Sequence, residues 1–188
     1  MRLFWAVIAV VLALDIVTKR WAERALLPQG TPREVWGEGL RWTLVYNPGA
    51  AFGLHLGPYS RWIFTVLTLG ALVILWRLFR TTRAGDTPRA LALALVCGGA
   101  VGNLLDRLRS YRGVVDFIDV GLGDHRWPTF NVADMAVSVG AFLLAWVLWG
   151  EDEAGASAPA APAASADPPD VAAPARRVAR DESGEPAA

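Results

Sequence analysis

Asp116, in Gly113-Val114-Val115-Asp116-Phe117-Ile118-Asp119-Val120, and Asp134, in Phe130-Asn131-Val132-Ala133-Asp134, are the residues whose types and spacing point most directly to bond-breaking chemistry. Two carboxyl groups held close together do not both ionise. They share a proton, so one draws a proton from water while the other protonates a leaving group. Such a pair can hydrolyse an amide without a metal, a serine or a cysteine. The choice of partners is open at this level. Asp119 would lie on the opposite face of a strand from Asp116, strand periodicity does not choose between them, and Asp124 is a third candidate. Asn131 followed three residues later by an acid also reads as a helix N-cap with its capping partner, which would make Asp134 structural.

Other hydrolytic schemes fit poorly. There is no Gly-x-Ser-x-Gly elbow and no His-Glu-x-x-His zinc motif, and His55 and His125 are the only histidines. The single cysteine, Cys97, lies in an apolar run where a thiolate is disfavoured, and it excludes a disulfide framework. Three further polar groups stand out. Asp15 and Lys19, four apart, form a favourable acid-base pair on one helix face, expected to be structural. Asn47-Pro48-Gly49-Ala50-Ala51-Phe52-Gly53 joins a turn to small residues that let backbone approach another object closely. Asn103, Asp106 and Arg107 put an amide, an acid and a base on one face, preceded by the small-residue pair Gly98 and Gly102.

The elements that must position these groups are membranous. Of 188 residues 54% are hydrophobic and 19% charged, with nine Trp, too apolar for an ordinary soluble domain and not basic enough to suggest nucleic acid. Apolar runs at 3–17, 62–79, 90–105 and 132–149 approach the ~17–25 residues that a helix needs to cross a bilayer. The expected fold is therefore a membrane all-α protein with four transmembrane helices. The first run follows Arg2 without a small-residue cleavage site after it, so it reads as an uncleaved helix. Alternating segments at 40–46 and 114–120 are expected to pair into a small extramembrane β-sheet built from the two outer loops, 20–61 and 108–131. Residues 1–150 hold 15 basic and 10 acidic groups and form the expected membrane domain; residues 151–188, with 3 and 8, read as a disordered Ala/Pro-rich acidic tail.

Four crossings put every polar cluster on one side of the membrane. Ionisable groups at membrane depth cost ~2.5–3.5 kcal/mol each at a helix centre, so they persist where they pair and perform a task. Ten Lys and Arg near the spans lie on that side against five on the other. A positive-inside count taken alone would make it cytoplasmic, but several of the ten sit in a long loop or beside carboxylates, and charge leaves the orientation open. A proton-relaying transporter would need polar residues continuing across the bilayer, and the second run and the middle of the fourth have none.

Taken in order and spacing, Asp15-x-x-Thr18-Lys19, Asn47-x-Gly49-Ala50-Ala51-Phe52-Gly53, Gly102-Asn103-x-x-Asp106-Arg107, Val114-Val115-Asp116-Phe117 and Phe130-Asn131-x-Ala133-Asp134 resemble the motifs of the bacterial lipoprotein signal peptidases, the signal peptidase II family. The resemblance covers roughly residues 3–149. It implies a membrane aspartyl endopeptidase that removes the signal peptide from diacylglyceryl-modified prolipoproteins, with no cofactor or metal and with membrane lipids around it. It implies Asp116 and Asp134 as the catalytic pair, in preference to Asp119 and Asp124, and Asn47, Gly49, Asn103, Asp106, Arg107 and Asn131 as residues that line the site and position substrate or pair. It further implies the inner membrane, an active site at its outer face and both termini in the cytoplasm. Met135 stands where the family commonly has a small polar residue, and the tail is extra.

Overall fold

The structure, a computed structural model, describes residues 1–49 and 56–156, with side chains to residue 150; expectations attached to residues 50–53, to His55 and to the tail from 157 onward lie outside the described residues. The element order is α1 (Arg2–Ala25), β1 (Arg33–Trp36), β2 (Leu40–Asn47), α2 (Ser60–Thr81), α3 (Thr87–Arg109), β3 (Val114–Leu122), β4 (His125–Arg126) and α4 (Val132–Ala156).

Three segments, Gly57–Thr81, Thr87–Arg109 and Val132–Gly150, are long and apolar enough to cross a membrane. The fourth expected crossing, α1, is not among them. Its 24 residues span about 36 Å at ~1.5 Å per residue, but Asp15, Lys19, Arg20, Glu23 and Arg24 crowd its second half. The runs at 3–17 and 90–105 are the apolar parts of longer helices, continued by polar residues that turn inward. On α1 the buried positions are Phe4, Ile8, Val11, Asp15, Lys19 and Ala22, a single stripe of three- and four-residue steps that ignores the change from apolar to charged.

Helix α3 packs against α1, α2 and α4, and its buried face combines the small residues Ala92, Ala94, Gly98, Gly99 and Gly102 with Leu93, Cys97 and Leu104. Small residues let helix backbones approach where no water is present to drive association. A β-carbon at Gly102 would lie 2.6 Å from Asp15 Oδ2 and 3.3 Å from the Ala133 β-carbon, so α1, α3 and α4 meet at that point only because residue 102 has no side chain. At the opposite end Phe4 stacks on Phe79 with ring centres 3.6 Å apart, tying α1 to α2.

The expected strands do pair. β2 runs antiparallel to β3, from Leu40 opposite Val120 to Asn47 opposite Val114, with an irregularity between Trp42 and Val45. Two short strands extend the sheet to the order β1-β2-β3-β4. With four and two residues, β1 and β4 are too short for alternation to reveal them. The sheet seats on the last turns of α1, where Ala22 and Leu26 pack with Leu44, Val115 and Phe117. Gly113, at φ +96°, immediately precedes β3 and leaves no room for a β-carbon against the Asn47 carbonyl, which lets the ends of β2 and β3 come together.

Candidate active site

Strand parity separates the carboxyl groups of β3. Val114 and Asp116 line a cavity of about 490 Å³, which also holds Asp134. Asp119 accepts from Thr43 Oγ1 at 3.0 Å and from Arg126 Nε at 2.7 Å, away from that cavity. Arg126 also donates to the Glu38 carbonyl, so this cluster fastens the outer end of the sheet. Asp124 is exposed in the turn before β4.

Each carboxylate of the cavity is oriented by amides. Asp116 accepts from Asn131 Nδ2 at 2.7 Å on one oxygen and from Asn47 Nδ2 at 3.1 Å on the other. Asp134 accepts from Asn103 Nδ2 at 2.7 Å and from the Asn131 backbone N–H at 3.2 Å. Asn131 is wholly buried and donates to both acids. Its own Oδ1 accepts the Asp134 N–H at 2.9 Å, so the expected capping box at the start of α4 is formed, and its acid lines the cavity as well. The two sequence readings of Asp134 are therefore compatible. A carboxylate oxygen has two lone pairs, so each oxygen that accepts one amide retains capacity for a proton or a water.

Behind the amides stands a buried cation. Lys19, 3% exposed, reaches Asp15 Oδ2 at 2.8 Å, Asp106 Oδ2 at 2.9 Å and Asn103 Oδ1 at 2.9 Å. Asp15 accepts the Ala133 N–H at 3.0 Å, which pins the first turn of α4. Asp106 accepts the Val115 N–H at 3.3 Å, which pins β3 beside Asp116. One ammonium thus holds α1, α3, α4 and β3 in register, with its charge balanced by two carboxylates. The expected pair Asp15 and Lys19 is present. Sequence offsets alone did not reveal its bond to Asn103.

Asn47 closes a turn by accepting the Gly49 N–H at 3.0 Å, and Arg107 donates to the Gly49 carbonyl at 3.1 Å and to the Asn103 carbonyl at 3.4 Å. Arg107 lines the cavity between these contacts, whereas Gly49 and Asp106 support it from behind. Sequence reasoning missed the apolar wall, formed by Trp127, Pro128 and Phe130 before α4 and by Met135, Val137 and Val139 on it. Part of the signal was present: Val137 and Ser138 follow Asp134 at offsets of three and four, which put them on its face of a helix. Met135 and Val139 are about half exposed, so the cavity opens along the outward face of α4.

Burial, and after it the charge of Asp134, push the Asp116 carboxyl up to about 7 despite the amides of Asn47 and Asn131. Near neutral pH Asp116 therefore exchanges a proton readily. Among the described residues no group of three or more His, Cys, Asp or Glu is placed to hold a metal ion.

A family model described as "Signal peptidase (SPase) II" matches residues 7–149. The chain is 42% identical over 151 residues to a "Lipoprotein signal peptidase" of Polynucleobacter necessarius subsp. necessarius, covering 79% of this chain and 88% of the relative. It is 44% identical over 149 residues to one from Mycobacterium avium, covering 77% of each. A solved structure described as "Bacterial membrane enzyme structure by the in meso method at 2.3 A resolution" superposes with a TM-score of 0.74 at 28% identity, over 82% of this chain and 92% of that one.

Proposed function

Because the chain belongs to the signal peptidase II family, we propose that it removes the signal peptide from prolipoproteins whose cysteine carries diacylglycerol, with Asp116 and Asp134 as an aspartyl pair acting on water. The coarse activity, signal peptide removal from lipoproteins, comes with the family. The observation that carries the finer reading is Asn131, which donates to both carboxylates where they line one cavity.

The pair holds one proton. The ionised carboxylate takes a proton from water as the water oxygen adds to the carbonyl carbon of the bond before the lipidated cysteine, and the other carboxyl donates its proton to the carbonyl oxygen. Collapse of the tetrahedral intermediate breaks the C–N bond as one of its hydroxyl protons returns to the carboxylate that had donated, and the leaving nitrogen takes the proton first removed from water, so the pair again holds one proton. Asn47, Asn103 and Asn131 keep the carboxylate planes fixed, and Arg107 and the Gly49 segment position the peptide. The acyl chains lie along the apolar opening beside Met135 and Val139, so bilayer anchoring holds the scissile bond at high effective concentration.

In this reading α1 is the fourth crossing. Its outward residues Val10, Leu14 and Val17 are exposed and apolar, as lipid contact requires, and its charges turn inward or lie at its end. The enzyme sits in the bacterial inner membrane with the cavity at the outer face and both termini in the cytoplasm.

The test is cleavage of a lipidated precursor by purified Asp116→Asn and Asp134→Asn proteins. Each should lose at least about 10²-fold in rate while retaining its helical circular dichroism and melting cooperatively. The wild type should be indifferent to a chelator and to a serine-protease inhibitor. A folded variant that cleaves at near wild-type rate overturns the assignment.

A further inference from the structure

The arginines around the polar end of the molecule divide by what they hold. Arg33 donates to the Leu27 carbonyl, Arg61 to Ser110, Arg107 to Gly49 and Arg126 to Asp119, and Arg109 faces Glu23 at 3.5 Å. Arg112 stacks over Tyr46, and Arg41 is partly buried on β2 with its Nε unbonded. Arg20 and Arg24 differ in being both exposed and unengaged. They are exposed on successive turns of α1, and among the described residues neither has a hydrogen-bond or ion-pair partner. Arg20 borders a groove of about 400 Å³ that runs between α1 and α3 and is walled by Leu105, Leu108 and Arg109; Arg24 lies next to it on the open face of α1, with Ile16, Val17 and Trp21.

Depth sorts these side chains. Both helices end on the side of the site, and Ile16 lies one turn before Arg20 as Leu105 lies one turn before Arg109. On each helix the apolar residue is deeper in the crossing and the cation nearer its end, the layout that receives an amphiphile with an anionic head. Helix carbonyl ends repel an anion, so guanidinium groups must do the holding, and their planar donors suit phosphate oxygens. Glu23 already engages Arg109, which leaves Arg20 and Arg24 for the head group.

We propose that this corner binds one anionic phospholipid of the surrounding bilayer, its phosphate between Arg20 and Arg24 and one acyl chain in the α1–α3 groove over Ile16, Leu105 and Leu108. The groove shares no lining residue with the cavity of Asp116 and Asp134; its inner wall is Lys19 and Asp106, so the lipid lies behind the network that orients Asn103. The inference rests on α1 being a bilayer crossing, as proposed above, and not on the aspartyl pair.

The test places a photoreactive benzoylphenylalanine at Leu105 in the full chain, reconstituted in nanodiscs of phosphatidylcholine with a minority of phosphatidylglycerol, and identifies the crosslinked lipid by mass spectrometry. Phosphatidylglycerol should be enriched about 30-fold over its share of the bilayer, the scale expected of two arginines near a charged head group. Enrichment should vanish in R20Q/R24Q, persist in part in R20K/R24K, and resist millimolar inorganic phosphate. Lipid crosslinked at the bilayer ratio, or enrichment that survives R20Q/R24Q, overturns the site and leaves the crossing intact. Displacement by inorganic phosphate overturns the lipid as occupant. Crosslinking to no lipid at Leu105 overturns lipid occupancy of the groove and the inference with it, and since no readout is cleavage, the peptidase reading is judged separately.

Discussion

Asn131 donates its side-chain amide to Asp116 Oδ1 at 2.7 Å, across the junction between the sheet and α4. The same residue caps α4 through Asp134, so one buried side chain sets both the start of a helix and the orientation of a carboxyl group. Removing the cap oxygen and removing the amide donor are different injuries.

Asn131→Ala should lose both: about 1 kcal/mol or more of stability from the cap, and at least tenfold in kcat from a misoriented Asp116. Asn131→Asp retains a good cap oxygen but has no amide to donate. Its second carboxyl oxygen would stand against Asp116 Oδ1 and Asn103 Oδ1, a third buried acid beside the pair, so it should be at least as inactive as Asn131→Ala and should melt no higher despite the retained cap. Thermal melts in detergent with kcat and KM for a lipidated precursor decide this; an active Asn131→Asp protein contradicts the orienting role.

The raised Asp116 pKa has two consequences for pH. Between the ordinary carboxyl value near 4 and about 7, the folded protein keeps a proton that the unfolded chain has released, so this group makes stability fall as pH rises through that window and level off above it. If Asp116 and Asp134 share the working proton, kcat/KM should also fall above about pH 7, towards tenfold per unit. Initial rates measured from pH 5 to 9 should show that alkaline limb, and a flat profile across it would remove the shared proton.

Gly102 has no room for a methyl group. With a β-carbon 2.6 Å from the Asp15 carboxylate, Gly102→Ala must push α1 from α3 at the level of the Lys19 network, at a cost of about 1–3 kcal/mol and with loss of activity. Gly70, in α2, would place its β-carbon in open space, so Gly70→Ala should be neutral or gain up to about 1 kcal/mol. Equal melting temperatures for the two variants would contradict the packing described for Gly102.

Lys19→Met strands the buried Asp15 and the largely buried Asp106, and frees Asn103. Breaking a buried ionic cluster from one side costs about 3–5 kcal/mol, so the variant should melt far below the wild type. The triple variant Lys19→Met/Asp15→Asn/Asp106→Asn removes the stranded charges and should regain much of that loss. If the triple variant is no more stable than Lys19→Met, charge compensation is not what Lys19 supplies.

Much of the fold was legible from local physics. Three of the four apolar runs correspond to helices that can cross a membrane, and the alternating segments at 40–46 and 114–120 form β2 and β3, because hydropathy and periodicity are properties of neighbours in sequence. The extension of α1 to Lys19 was legible as an acid-base pair on one helix face, but what that pair turns towards was not. Lys19 and Asp15 are buried by partners on α3 and α4, and no local pattern distinguishes a charge that turns inward from one at the membrane rim.

The site divides in the same way. The sequence by itself determined which residue types were available, the capping relation of Asn131 and Asp134, and through ordered motifs the family. Only the tertiary structure decided that Asp116 rather than Asp119 faces the cavity, because that depends on the side to which an odd or even strand position turns once β3 is paired with β2 and seated on α1. It alone decided that an amide from α3 and an amide from the cap of α4 meet two carboxyl groups, with a lysine from α1 holding the first of those amides from behind. Hydrogen bonds reach about 3 Å in space and are blind to separation along the chain, so a network drawn from four elements exists only after they have packed.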